Sequence, residues 1–141
     1  MRAYWLLKTE PGEYSWEDLL QEKKTVWDGV RSPAALKHLA RMRPGDLTFI
    51  YHSGRERAIV GTARVTGMPY PSPAENDRRF LVVELVPQES LAQPVTLQQI
   101  KKSALFPDWE LLRQPRLSVV PVSREQWRAI LAWAGNKTDR H

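Results

Sequence analysis

The sequence predicts an α+β fold: a small, curved, mixed sheet of about five to six strands with short helices at its periphery. Two observations lead there. Short apolar runs of strand length are separated by brief amphipathic segments, without the regular alternation of strand and long helix that a doubly wound parallel sheet requires. The chain has 141 residues, so at roughly 150 residues per domain there is room for one core. Residues 1–135 are expected to form it as a single domain, with 136–141 as a mobile polar tail. A sheet this small encloses no large cavity, but it can leave at one mouth a pocket the size of a single base.

The first element is a buried strand over residues 3–9, a mostly apolar run with two aromatics that Pro11-Gly12 stops. Ser15 then precedes Trp16, Leu19 and Leu20 with Asp18 three positions on, the spacing of a capping box opening a short helix. Ser32-Pro33 starts a second helix, because serine caps free N–H groups and proline suits the first helical position. Pro44-Gly45 ends it. Residues 47–52 and 58–65 follow as strands joined through Ser53-Gly54, and the second of them alternates Ile59, Gly61, Ala63 and Val65 with Val60, Thr62 and Arg64. After the proline-rich 69–73 loop, residues 80–86 are apolar at nearly every position and predict a strand buried on both faces. Thr96 with Gln99 marks another helix start, and residues 117–122 read as one more strand. Finally, Ser123 with Gln126 opens a helix carrying Trp127, Ile130, Leu131 and Ala134 on one face and ending at Gly135.

Composition narrows the function. Hydrophobic residues are 42% and charged residues 26%, which is ordinary globular usage rather than that of a disordered chain. No cysteine is present, which removes disulfides, thiolate metal sites and cysteine nucleophiles and fits a reducing, cytoplasmic setting. The apolar stretch before Lys8 is too short for a signal-peptide core, and no run approaches a membrane span, so neither export nor a membrane partner is expected. A net charge of +5 favours polyanionic partners, although many soluble proteins carry such a surplus.

Catalytic signatures are sparse. The histidines are His38, His52 and His141. No G-x-S-x-G elbow, H-E-x-x-H, phosphate-binding loop or G-x-G-x-x-G is present. No cofactor or metal is therefore expected, and the one enzymatic alternative pairs His52 with Asp28 as proton-transfer groups. Three clusters at strand ends and loops stand out instead. Trp27 and Asp28 lie in a stretch without periodicity, where Trp27 either plugs the core or faces a ligand and Asp28 either forms the turn before Gly29 or binds. Tyr51, His52 and Ser53 close a strand, as capped polar termini or as pocket groups. Lys8, Thr9 and Glu10 stand where the first strand leaves the core, as a surface ion pair or as pocket groups. Lys37, Arg41, Arg43, Arg55 and Arg57 supply cations that either contact phosphate or form plain solvated surface.

The strings Tyr4-Trp5-Leu6-Leu7-Lys8-Thr9-Glu10-Pro11, Trp27-Asp28-Gly29-Val30-Arg31, Tyr51-His52-Ser53, Ile59-Val60-Gly61 and Arg116-Leu117-Ser118-Val119 together resemble the EVE domain family. The resemblance runs from about residue 3 to residue 134 and implies a PUA-like pseudo-barrel, related to modules that take a modified base into an aromatic pocket. It implies a non-catalytic, monomeric binder of nucleic acid carrying a modified base, such as methylated or hydroxymethylated cytosine in DNA. An RNA-binding PUA-like module is the alternative. The base pocket it implies comprises Lys8, Thr9, Glu10, Trp27, Asp28, Val30, Arg31, Tyr51, His52 and Ser53, and extends to Trp5 and Arg116. Ser32 stands where the family commonly has asparagine.

Overall fold

A computed structural model describes residues 2–137. Among them, a seven-stranded sheet is built from β1 (Tyr4–Thr9), β2 (Thr25–Trp27), β3 (Leu47–His52), β4 (Ala58–Val65), β5 (Tyr70–Pro71), β6 (Leu81–Thr96) and β7 (Val119–Val122). The strand order is β2-β6-β4-β3-β1-β7, with β5 paired to β6 off this path. Only β1 and β3 run parallel; the other pairs are antiparallel. Register shifts between Ile50 and Tyr51 on β3, and twice along the β4–β6 pair, insert extra residues that bend the strands. With short helices around the curled sheet, this is the α+β PUA-like pseudo-barrel that was expected.

The parallel β1–β3 pair demands a long crossover, and that crossover carries α1 (Trp16–Glu22), β2 and α2 (Pro33–Leu39). Ser15 and Asp18 form the capping box at the start of α1. Ser32 Oγ accepts from the Ala35 N–H at the start of α2, with Pro33 in the first turn. The serine at this position thus has a defined use. Beyond β6 come α3 (Leu97–Ser103), α4 (Glu110–Arg113) and α5 (Arg124–Ala134), the last opened by the Ser123–Gln126 capping box and closed by Gly135 at φ 81°. From α5, Trp127 stacks on Phe49 of β3 at 3.9 Å between ring centroids and lies 5.0 Å from Tyr4.

Several elements differ from expectation. β2 forms inside the stretch read as aperiodic, β5 and α4 are additional, and β6 continues ten residues past the expected end at 86, through Pro87 and Pro94. Prolines and polar side chains are tolerated there because the β4–β6 pairing is interrupted by the register shifts. The expected two-faced burial holds for Val82 and Val83, whereas Glu84 and Val86 are half-buried. At the expected mobile tail, Asn136 is pinned: its Oδ1 accepts from the Ala92 N–H at 2.8 Å and its Nδ2 donates to the Ser90 carbonyl at 3.1 Å. Residues 138–141 lie outside the described residues.

Candidate functional site

Helix α1 sets the geometry of the site, and Trp16 fixes α1 to the sheet. The Trp16 N–H donates to His52 Nε2 at 2.9 Å, its indole N–H donates to Ser90 Oγ at 2.8 Å, and its ring covers Gly61. A Cβ on Gly61 would stand 2.5 Å from the Trp16 ring, so this close approach requires glycine. Before α1, the turn from β1 is held by Glu13 and Tyr14 N–H groups donating to the Glu10 carbonyl, and by Thr9 Oγ1 donating to the Tyr14 carbonyl at 2.7 Å. After α1, Lys23 at φ 65° turns the chain into β2. The ends of β1, α1 and β2 are thereby brought together.

Between them opens a cleft of about 500 Å³, within the range of small-ligand sites. Lys8, Thr9 and Glu10 line it from the end of β1; Trp27 and Asp28 line it from the end of β2. These five expected site residues share one cleft. Glu13, Tyr14, Glu22, Thr25, Val26 and Gly29 complete the wall and were not anticipated. Trp27 is only 7% exposed and meets the Tyr14 ring edge to face at 5.9 Å, so it is at once core and cleft wall. The Tyr14 hydroxyl donates to Glu22 Oε1 at 2.6 Å. Burial, and then the Glu22 carboxylate, push its pKa up to about 12, so the phenol remains a donor at neutral pH.

Charge in the cleft is mostly negative. Glu10, Glu13, Glu22 and Asp28 face a single amine, Lys8. Lys8 Nζ donates to the Pro115 carbonyl at 2.9 Å and lies 5.6 Å from the centroid of the Tyr51 ring; burial lowers its pKa. Asp28 is exposed, and among the described residues its carboxylate makes no hydrogen bond or ion pair. Ionised carboxylates only accept hydrogen bonds, so this wall suits a ligand edge rich in N–H donors and repels phosphate.

The other expected pocket residues lie elsewhere. His52 is 4% exposed, accepts from Trp16 at Nε2 and therefore carries its proton on Nδ1, 2.9 Å from Glu56 Oε1. It anchors α1, does not line the cleft with Asp28, and has both ring nitrogens engaged. Tyr51 is buried beneath Lys8, and burial raises its phenol pKa. Ser53 ties β3 to β1 by donating its N–H and Oγ to the Thr9 carbonyl. Trp5 is buried with its indole N–H donating to Asp46 Oδ2 at 2.9 Å. Val30 and Arg31 line a smaller neighbouring cavity of about 160 Å³ shared with Asp28 and Gly29. There the Arg31 guanidinium pairs with Glu75 at 3.1 Å and lies 4.2 Å over the Phe80 ring, clamping the loop before β6. Arg116 is exposed on a separate groove beside Ser32 and Pro115.

Among the cations considered for phosphate contact, Lys37 and Arg41 are exposed on and just after α2. Arg43 Nη1 donates to the Ala40 and Met42 carbonyls after α2, a local use that accounts for it without a ligand. Arg55 and Arg57 line a third cavity of about 430 Å³ on the turn after β3. Of the described helices, none is long and apolar enough to cross a membrane. The described residues also hold no cluster of three or more His, Asp or Glu side chains that could bind a metal ion.

Comparison with known proteins places this arrangement. The family model described as EVE domain matches residues 3–133. Mouse thymocyte nuclear protein 1 is 29% identical over an alignment covering 92% of this chain and 72% of that protein. A crystal structure of a protein from Agrobacterium tumefaciens superposes with a TM-score of 0.90 at 32% identity, covering 95% of this chain and 94% of that one. The crystal structure of human THYN1 protein in complex with 5-methylcytosine containing DNA superposes with a TM-score of 0.86 at 24% identity, covering 96% and 99%. A family match spanning nearly the whole chain, with the same sheet recovered across bacterial and animal proteins, leaves one assignment: the chain belongs to the EVE domain family.

Proposed function

We propose that this protein is a non-catalytic reader of DNA that takes a modified cytosine into the cleft between Lys8, Trp27 and Asp28. The observation that carries the reading is the aromatic, acceptor-lined cleft itself. Support from outside comes from the similarity to human THYN1 protein, whose structure is in complex with 5-methylcytosine containing DNA. Extruding a base costs a few kcal/mol of stacking and pairing. Stacking on an aromatic wall returns about 1–3 kcal/mol, and the rest comes from the base edge. Cytosine presents an exocyclic amine, a donor that the unpartnered Asp28 carboxylate accepts. Its ring carbonyl is an acceptor, which suits Lys8, whose ammonium has N–H donors beyond the one given to Pro115. The reader acts as one domain over 1–135.

Binding of the wild-type protein to duplexes differing by one 5-methyl group on one cytosine tests this reading. The methyl adds apolar contact worth about 1–3 kcal/mol, so the methylated duplex binds roughly 5- to 150-fold tighter. Equal affinities contradict the proposal, and turnover of either duplex restores an enzymatic reading.

A further inference from the structure

The turn after β3 has two flanks of opposite charge. One flank belongs to the acidic cleft: Glu10 approaches Gly54 so closely that a Cβ there would lie 2.6 Å from Glu10 Oε2. On the other flank, Arg55 and Arg57 meet Lys101 of α3 around the third cavity. Backbone contacts hold this cavity in place. Leu97 N–H donates to the Arg57 carbonyl at 2.8 Å, and Ala58 pairs with Thr96 across β4 and β6, which lays the first turn of α3 beside the 53–57 turn. The one carboxylate lining it, Glu56, is engaged by His52 Nδ1 at 2.9 Å. Among the described residues, Arg55, Arg57 and Lys101 are exposed and form no ion pair.

Three unpaired cations around one concavity attract an anion, and the neighbouring acidic cleft repels it. We infer that the cavity of Arg55, Arg57 and Lys101 holds the phosphodiester backbone of the strand beside the nucleotide whose base enters the cleft. This rests on the base-reading proposal for the direction of the strand, while the phosphate chemistry stands without it. Lys101 is the informative member, since it comes from a different element and converges on the two arginines only through the fold. Lysine is a point charge suited to phosphate, and each phosphate contact on a single strand contributes about 0.7 to the slope of log K against log salt.

An abasic single-stranded oligonucleotide presents phosphates without bases and isolates this site. Lys101→Ser should weaken its binding to the full chain and lower the salt slope by about 0.7. Arg128→Ser, which removes an exposed cation on α5 outside the cavity, should leave both unchanged. Wild-type protein that fails to bind the abasic strand overturns the inference. So does Lys101→Ser with an unaltered slope, or an equal loss with Arg128→Ser, which marks diffuse attraction to the whole surface. If the slope falls as expected while methylated and unmethylated duplexes bind equally, the phosphate site stands and the base-reading proposal fails.

Discussion

Replacing Trp127 by alanine should lower the free energy of unfolding by about 3–5 kcal/mol, the cost of a large-to-small change in a packed core. That is a large part of the roughly 5–15 kcal/mol typical of a domain. Trp127 is 1% exposed, stacks on Phe49 and touches Tyr4, so it joins α5 to β3 and β1, the parallel pair of the sheet. The capping box at Ser123 sets the phase that points it inward. Trp127→Phe keeps an aromatic in that slot and should lose less. Chemical denaturation of both variants checks the claim, and a Trp127→Ala midpoint equal to wild type would show that α5 does not pack this way.

Trp27→Ala should have a double effect, because this side chain is both part of the core and part of the cleft wall. Its near-complete burial and its place opposite Val83 in the β2–β6 pair predict a loss of about 3 kcal/mol or more. Its contact with Tyr14 and its place in the cleft wall predict loss of the preference for the modified base even where the variant remains folded. Phosphate-driven background binding should persist in the folded fraction, since stacking and phosphate contact are separate terms. Trp27→Phe retains a flat ring and most of the packing, and should retain part of the preference. Melting temperature and the affinity ratio measured on the same samples separate the two effects. A Trp27→Ala protein with wild-type stability and an unchanged ratio would remove Trp27 from both roles.

How much was legible in the sequence depended on how local its cause was. β1, β3, β4 and α5 are encoded by apolar runs, alternation and caps within a few residues, and they formed where those signals lie. β2 has three residues and an exposed Val26, too short to show a period, and β6 passes two prolines that locally argue against a strand. The site shows the same division. Lys8, Thr9, Glu10, Trp27 and Asp28 share a cleft because two chain segments each leave the sheet at its end. His52 and Trp5 look no different in sequence from pocket residues. Their partners, the Trp16 N–H and the Asp46 carboxylate, lie 36 and 41 positions away and exist only once the crossover has folded. Tyr14, just before the Ser15 cap, had one usable signal: an aromatic in a turn directly after Pro11-Gly12.

If the acceptor-lined cleft reads the donor edge of a base, Asp28 is the residue whose loss separates reading from folding, because it is exposed and makes no bond that folding needs. Asp28→Ala should change the free energy of unfolding by no more than is usual for surface substitutions, about 0.5 kcal/mol. The measurement compares strands carrying 5-methylcytosine or thymine at one position, which share the methyl group and differ at position 4, an amine or a carbonyl, and at N3, an acceptor or an N–H donor. Wild-type protein should prefer 5-methylcytosine, and Asp28→Ala should lose about 1.5–3 kcal/mol of that preference, roughly 10- to 150-fold. A preference that is absent in the wild type, or unchanged in Asp28→Ala, would show that the cleft does not read the base edge through Asp28.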